Sequence, residues 1–174
     1  MAENLATPRK WYAVYVRSRY EKKSAWLLER GDVEVYLPLV TRVKQWSDRR
    51  KRVEEPLFNS YVFVHTDLKD YFNILNTPGV VRFITFEGKP VVMPDNQIVA
   101  MKEYVGQVEN EGEVAVPTDF HEGQVVAIKF GAMKGLQGHL TEILGNHYVV
   151  VDIDIVGGSL PMKVSKSMLR IVSD

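Results

Sequence analysis

Between residues 107 and 119 the chain reads QVENEGEVAVPTD, and the patterns on the two sides of this stretch differ. The stretch is acidic, holds Gly112 and Pro117, and sustains neither a helical nor a strand period, so it reads as a linker. Strand-like and helix-like segments alternate before it, whereas only short β-type runs follow it. Two modules are therefore expected, residues 9–107 and 120–174, joined by an acidic linker over 108–119.

The first module predicts a strand at WYAVYV (11–16) and a helix at SRYEKKSAWLLERG (18–31), with Ser18 and Glu21 as a capping box and Gly31 as the stop. YLPLVTRVKQW and KRVEEPL flank the polar turn Ser47-Asp48-Arg49-Arg50 and predict a basic hairpin, and NSYVFVH continues as a strand. Asp67 is placed as the N-cap of LKDYFNIL, where Leu68, Tyr71, Phe72 and Leu75 share a helical face before Pro78-Gly79 ends it. VVRFITF (80–86) predicts a further strand, and PDNQIVAMKEYVGQV a third helix with Ile98, Met101, Val105 and Val108 facing inward. The second module shows five β-type runs separated by Gly131 to Gly138, Gly145-Asn146 and Gly157-Gly158, which suggests a small five-stranded barrel. The expected fold class is α+β: an antiparallel sheet with flanking helices, then the linker and the barrel.

Composition removes several classes of function. At 174 residues, 45% apolar and 25% charged, the chain is of globular type. Zero cysteines exclude disulfides, a thiol nucleophile and cysteine-ligated zinc. No apolar run nears the roughly 18 residues that span a bilayer, and MAENLATPRK lacks the apolar core of a signal peptide, so a cytoplasmic protein without membrane contact is expected. His65, His121, His139 and His147 lie on separate elements, and neither a phosphate loop nor a nucleophile elbow occurs. No enzyme, cofactor or metal site is expected.

The net charge of zero conceals an asymmetry. Residues 1–52 carry 13 Lys/Arg against 6 Asp/Glu, residues 53–122 carry 4 against 12, and residues 123–174 carry 5 against 4. Such segregation fits a polyanion-facing surface beside an acidic one, and equally a set of solvated faces. Two surfaces stand out. Arg17, Arg19, Lys22 and Lys23 surround Tyr20 at the first strand-to-helix junction, a combination that can neutralise phosphates and stack a base, or simply start a solvated helix. Strand alternation sends Tyr61 and Phe63 to one face and Tyr15 to the face of Trp11 and Ala13; such a face is either core or a partner's seat.

Trp11-Tyr12, EPLFNSYVFV at 55–64, GVVRF at 79–83 and EGQVVAIKFGAMKGLQGHLTEI at 122–143 resemble the NusG transcription-factor family, in order and over nearly the whole chain. The first module resembles the family's N-terminal domain. The second resembles a KOW domain of SH3-like form, its pattern met by Val126, Ile128, Gly131, Gly135 and Gly138. The resemblance implies that the first module binds the clamp helices of bacterial RNA polymerase through Tyr15, Tyr61, Phe63, Phe83 and Phe86, holds the polymerase closed and opposes pausing. A second polymerase contact is implied at Tyr71, Phe72 and Asn73, while Phe58 is taken as structural.

Asn59-Ser60 stands where general members of the family have Pro-Gly, and with EPLF and a short hairpin this is similar to the specialised RfaH and UpxY paralogues. Those act on selected long operons and are recruited partly by non-template DNA, here through Arg17, Arg19, Tyr20, Lys22 and Lys23. For the second module the resemblance implies docking to a small-subunit ribosomal protein or to Rho through Met133, Lys134 and Leu136, with Met and Leu in place of the usual aromatics. A monomer is expected. The alternatives are a housekeeping elongation factor and, in another class, a KOW-type RNA-binding or ribosome-associated protein; the latter should be basic throughout, which this chain is not.

Overall fold

A computed structural model describes residues 8–111, 119–129, 135–145, 148–155, 158–166 and 169–172. The chain divides into two compact units, one holding the residues up to Leu37 with Ser60–Ile98, the other Pro38–Asn59 with the residues from Val99 onward. This division interrupts the stretch 9–107 that the sequence reads as one module.

The first unit is built on β1 (Lys10–Val16), α1 (Glu21–Arg30), β2 (Glu34–Tyr36) and, beyond the hairpin β3 (Leu39–Gln45) and β4 (Arg50–Pro56), on β5 (Tyr61–Thr66), α2 (Tyr71–Leu75) and β6 (Val80–Phe83). Its sheet has the order β2-β5-β1-β6. β7 (Thr85–Phe86) and β8 (Lys89–Pro90) form a small hairpin, and β9 (Val92–Met93) pairs with β1. All pairings are antiparallel. Central β1 is apolar on both faces. Tyr12, Val14 and Val16 join Val62, Val64 and Phe83 in a buried cluster closed by Ala25 and Leu28 of α1 and Ile74 of α2. Each fully buried aliphatic there contributes about 1.5–3 kcal/mol.

Four local expectations are corrected. α1 begins at Glu21 after Tyr20, which makes no side-chain cap; Ser18 does not cap it, because the chain first turns through Arg19 at φ 67°. α2 begins only at Tyr71, since Asp67 Oδ1 accepts the Lys69 amide at 2.9 Å in a turn that puts Leu68 at φ 67°. The strand predicted over 80–86 breaks at Ile84, whose N–H still donates to Ala13 C=O at 2.9 Å before the chain folds into β7 and β8 around Glu87 (φ 48°) and Gly88 (φ 77°). Two successive positive φ values are what a tight hairpin turn of this hand requires. Finally, α3 (Asp95–Glu111) extends over 108–111, which the sequence reads as linker; residues 112–118 lie outside the described residues. Ile98 and Met101 of α3 are buried as expected, and Tyr104 is buried with them.

In the second unit, β3 and β4 form the predicted hairpin, closed by Trp46 N–H to Arg49 C=O at 2.8 Å. β10 (Val125–Ile128), β11 (Gln137–Leu144), β12 (Tyr148–Ile155), β13 (Gly158–Ser165) and β14 (Leu169–Ile171) form the five expected strands, in the antiparallel order β13-β12-β11-β10-β14. Val126, Ile128, Leu140, Val149, Val151, Met162, Val164 and Leu169 are its interior. Gly138 is required by contact: a Cβ there would stand 2.8 Å from Val151 Cγ1 and 2.9 Å from the Asp152 carbonyl carbon.

Candidate functional site

Register decides which side chains of the first sheet meet. β1 and β5 pair Tyr15 with Tyr61, Ala13 with Phe63 and Trp11 with His65. This places one aromatic row on the sheet face opposite α1 and α2. Tyr15 and Tyr61 meet edge to face at 5.6 Å, Tyr36 of β2 tilts against Phe63 at 6.4 Å, and Trp11 stacks on His65 at 4.9 Å. Such pairs add about 0.5–1.5 kcal/mol beyond their buried area. His65 Nδ1 is also 2.6 Å from Glu34 Oε2. Phe63 is 0% exposed and Tyr61 8%, whereas Tyr15 is half-buried. Burial pushes the Tyr36 phenol up to about 12.

β6 runs on the other flank of β1, pairing Tyr15 with Arg82 and Val14 with Phe83. Arg82 therefore stands with its guanidinium 5.8 Å from the Tyr15 ring centre, a cation–π contact that sequence reading missed. Phe83 is not brought to this row. It is 0% exposed in the helix-side cluster, stacked on Tyr71 at 4.7 Å and edge-on to Tyr12 at 6.0 Å. Of the five aromatics expected to act together, Tyr15, Tyr61 and Phe63 are gathered on one face and Phe83 lies on the other. Phe86 pairs with Lys89 in the small hairpin, its side chain outside the described residues. Phe58 is buried, as expected of a structural residue.

The expected second contact is split in the same way. Tyr71 faces the core, while Phe72 is 73% exposed and Asn73 is exposed beside it. Phe72 was expected to face inward with Tyr71; the later helix start leaves Ile74 as the buried residue of α2.

The basic junction is held from below by backbone and buried polar contacts. Arg17 N–H donates to Gly79 C=O at 2.8 Å, Tyr20 N–H to Arg17 C=O at 3.0 Å, and Ser24 Oγ to Pro78 C=O at 3.1 Å. Gly79, at φ 93°, lies against Tyr20, and a Cβ on it would stand 2.8 Å from Tyr20 Cδ1. Glu21 is buried and accepts the Ser60 amide at 2.8 Å, while Ser60 C=O accepts the Val16 amide at 2.8 Å. Arg17, Arg19, Lys22 and Lys23 are exposed above these contacts, with Lys23 Nζ 5.5 Å from the Tyr20 ring centre. The junction is thus a fixed basic surface with one accessible ring. Of the second module's expected contacts, Leu136 is half-buried, and Met133 and Lys134 lie outside the described residues. Among the described residues no cluster of acidic or histidine side chains could hold a metal ion.

The family model described as transcription termination factor nusG matches residues 9–102. The transcription termination/antitermination protein NusG of Lactococcus lactis is 29% identical over 174 residues, covering 92% of this chain and 91% of that protein. Its counterpart in Streptococcus pyogenes serotype M3 is 30% identical over 150 residues, covering 78% of this chain and 82% of that one. Among solved structures, one described as domain interaction in Thermotoga maritima NusG shares 25% identity with a TM-score of 0.53 and covers 97% of this chain and 99% of its own. The chain belongs to the NusG family. It is a transcription factor of the termination and antitermination class, and not an enzyme.

Proposed function

We propose that this chain is a specialised elongation and antitermination factor that binds the clamp helices of RNA polymerase through the aromatic row of its first sheet. It acts in the cytoplasm as a monomer and suppresses pausing on selected operons. The observation that carries this reading is the Tyr15–Tyr61 pair, flanked by Arg82, on the face opposite α1 and α2. Aromatic and Arg side chains dominate binding energy at protein interfaces. Tyr15 and Tyr61 are the contact rings, and Phe63, which has no exposed surface and packs against Tyr36 on the same face, is a support.

The basic junction takes non-template DNA, with Tyr20 as a stacking ring and Arg17, Arg19, Lys22 and Lys23 on phosphates. Phe72 and Asn73 are a second polymerase contact. The functional modules follow the sequence division at 9–107, 108–119 and 120–174, the last docking through Met133, Lys134 and Leu136 to a ribosomal protein or Rho. The housekeeping role is the second reading, favoured by relatives that carry the general NusG name along most of this chain.

The test is retention of core RNA polymerase by immobilised Tyr15→Ala and Tyr61→Ala proteins. Each is expected to weaken binding by about 2 kcal/mol or more, roughly 30-fold, with the circular dichroism unchanged. Wild-type binding by both would overturn the assignment. Transcript profiles after gene deletion separate the two roles: a specialist alters a few long operons, a housekeeper most genes.

A further inference from the structure

The β3–β4 hairpin forms a two-stranded sheet of its own. Two-stranded ribbons are marginally stable, and like charges directly opposite one another weaken them further. This one nevertheless pairs Lys44 with Lys51, and sets Val43 against Arg52 and Gln45 against Arg50. Arg49, Arg50, Lys51 and Arg52 are consecutive and exposed, with Asp48 as the acid of the turn. Lys44 is relieved by an ion pair with Glu55. Lys51 instead sits over the Trp46 ring, 5.7 Å from its centre.

Trp46 is 52% exposed, yet its backbone is well fixed. Its N–H donates to Arg49 C=O at 2.8 Å, Gln45 Nε2 donates to its C=O at 3.0 Å, and Arg50 Nε donates to Gln45 Oε1 at 3.2 Å. Repulsion among the neighbouring cations lowers the stability of the hairpin, and the Lys51–Trp46 contact offsets part of it. The same arrangement suits a polyanion that also offers a flat apolar face.

We infer that the hairpin tip binds single-stranded nucleic acid, one base stacking on Trp46 while neighbouring phosphates meet Arg49 and Lys51, which the register sets on the same face of the ribbon. The cations account for the polyanion and the ring for the single strand, because duplex bases have no free face. Stacking and phosphate contacts are indifferent to the sugar, so RNA and DNA strands should bind alike. The site lies on elements other than the α1 junction and does not depend on polymerase binding.

The experiment is fluorescence anisotropy of labelled oligonucleotides of about 10 nucleotides with the full chain, in a background carrying Arg17→Glu and Lys23→Glu to silence the junction. Single-stranded RNA and DNA are expected to bind comparably and a duplex of equal length more weakly. Trp46→Ala should lose affinity about tenfold or more, and Trp46→Phe should retain most of it. Arg49→Glu with Lys51→Glu should lower the log–log salt slope by roughly 0.7 for each phosphate contact removed. Wild-type affinity in Trp46→Ala, equal binding of the duplex, or no binding of either single strand would overturn the proposal. The last result would point to an acidic protein surface as the occupant.

Discussion

The two faces of the first sheet are cut from the same strands, yet they are closed by different means. On one face Tyr12, Val14, Val16, Val62, Val64 and Phe83 lie under α1 and α2. On the other, Trp11, Tyr15, Tyr36, Tyr61, Phe63 and His65 are linked sideways by ring-to-ring contacts across neighbouring strands. The helix-side face consists mainly of β-branched residues that interlock with helices, and removing one leaves a cavity. The aromatic face is a row of rings whose energy comes from edges and faces that another protein's side chains can also use. A truncation on the first face should therefore be read out in folding, and on the second in binding.

The largest expected effect is on the helix side. Phe83→Ala should cost about 3–5 kcal/mol of stability, seen as a lowered denaturant midpoint at unchanged slope. Tyr15→Ala, at a half-buried ring, should show the opposite balance, a binding loss with the midpoint nearly kept, while Tyr61→Ala, at a ring only 8% exposed, should lose some of both. Phe63→Ala sharpens the comparison because Phe63 is on the binding face but wholly buried. It should lose both, the midpoint falling by an amount close to that of Phe83→Ala. If Phe63→Ala lost binding and kept its midpoint, Phe63 would be a contact ring and not a support.

This contrast also marks how far the sequence could be read. The strands, the basic hairpin and the five-stranded second sheet follow from alternation and from glycine-marked turns, signals that lie within a few residues. Tyr61 and Phe63 share a face for the same local reason. Phe83 was assigned to that face through the family resemblance, and the register of β6 against β1 decides otherwise: Arg82 opposes Tyr15, which sends its neighbour Phe83 to the helices. Register between strands separated by some 65 residues of chain leaves no local trace. The capping box failed for a similar reason. Its spacing is met by Ser18 and Glu21, but Glu21 is claimed by the amide of Ser60, a long-range partner.

That claim on Glu21 sets the next prediction, which joins the two faces at one end of β1. Glu21 holds Ser60, the residue before Tyr61, so the carboxylate fixes the entry of the strand that carries the aromatic row. Glu21→Ala leaves a buried N–H unpaired and should cost about 1–3 kcal/mol of stability. Part of the polymerase affinity should be lost with it, since Tyr61 would no longer be held in place. A stability loss with wild-type binding would show that the row keeps its geometry without this anchor.

The smallest expected effect tests the departure from Pro-Gly at residues 59 and 60. Ser60 sits at φ 66°, the left-handed region, where a side chain costs about 1–2 kcal/mol. Glycine avoids that strain, and gives back about 0.5–1 kcal/mol through the extra freedom of the unfolded chain. Its amide would still reach Glu21, and Val16 would still find the carbonyl of residue 60, because both bonds use backbone atoms of that residue. Ser60→Gly should therefore stabilise the protein by at most about 1.5 kcal/mol, a rise of a few degrees in Tm at this chain length. Ser60→Val, β-branched and intolerant of positive φ, should lower Tm by more than glycine raises it. Should glycine destabilise instead, the serine hydroxyl has a partner that outweighs the backbone strain, and this position is shaped by what the side chain touches.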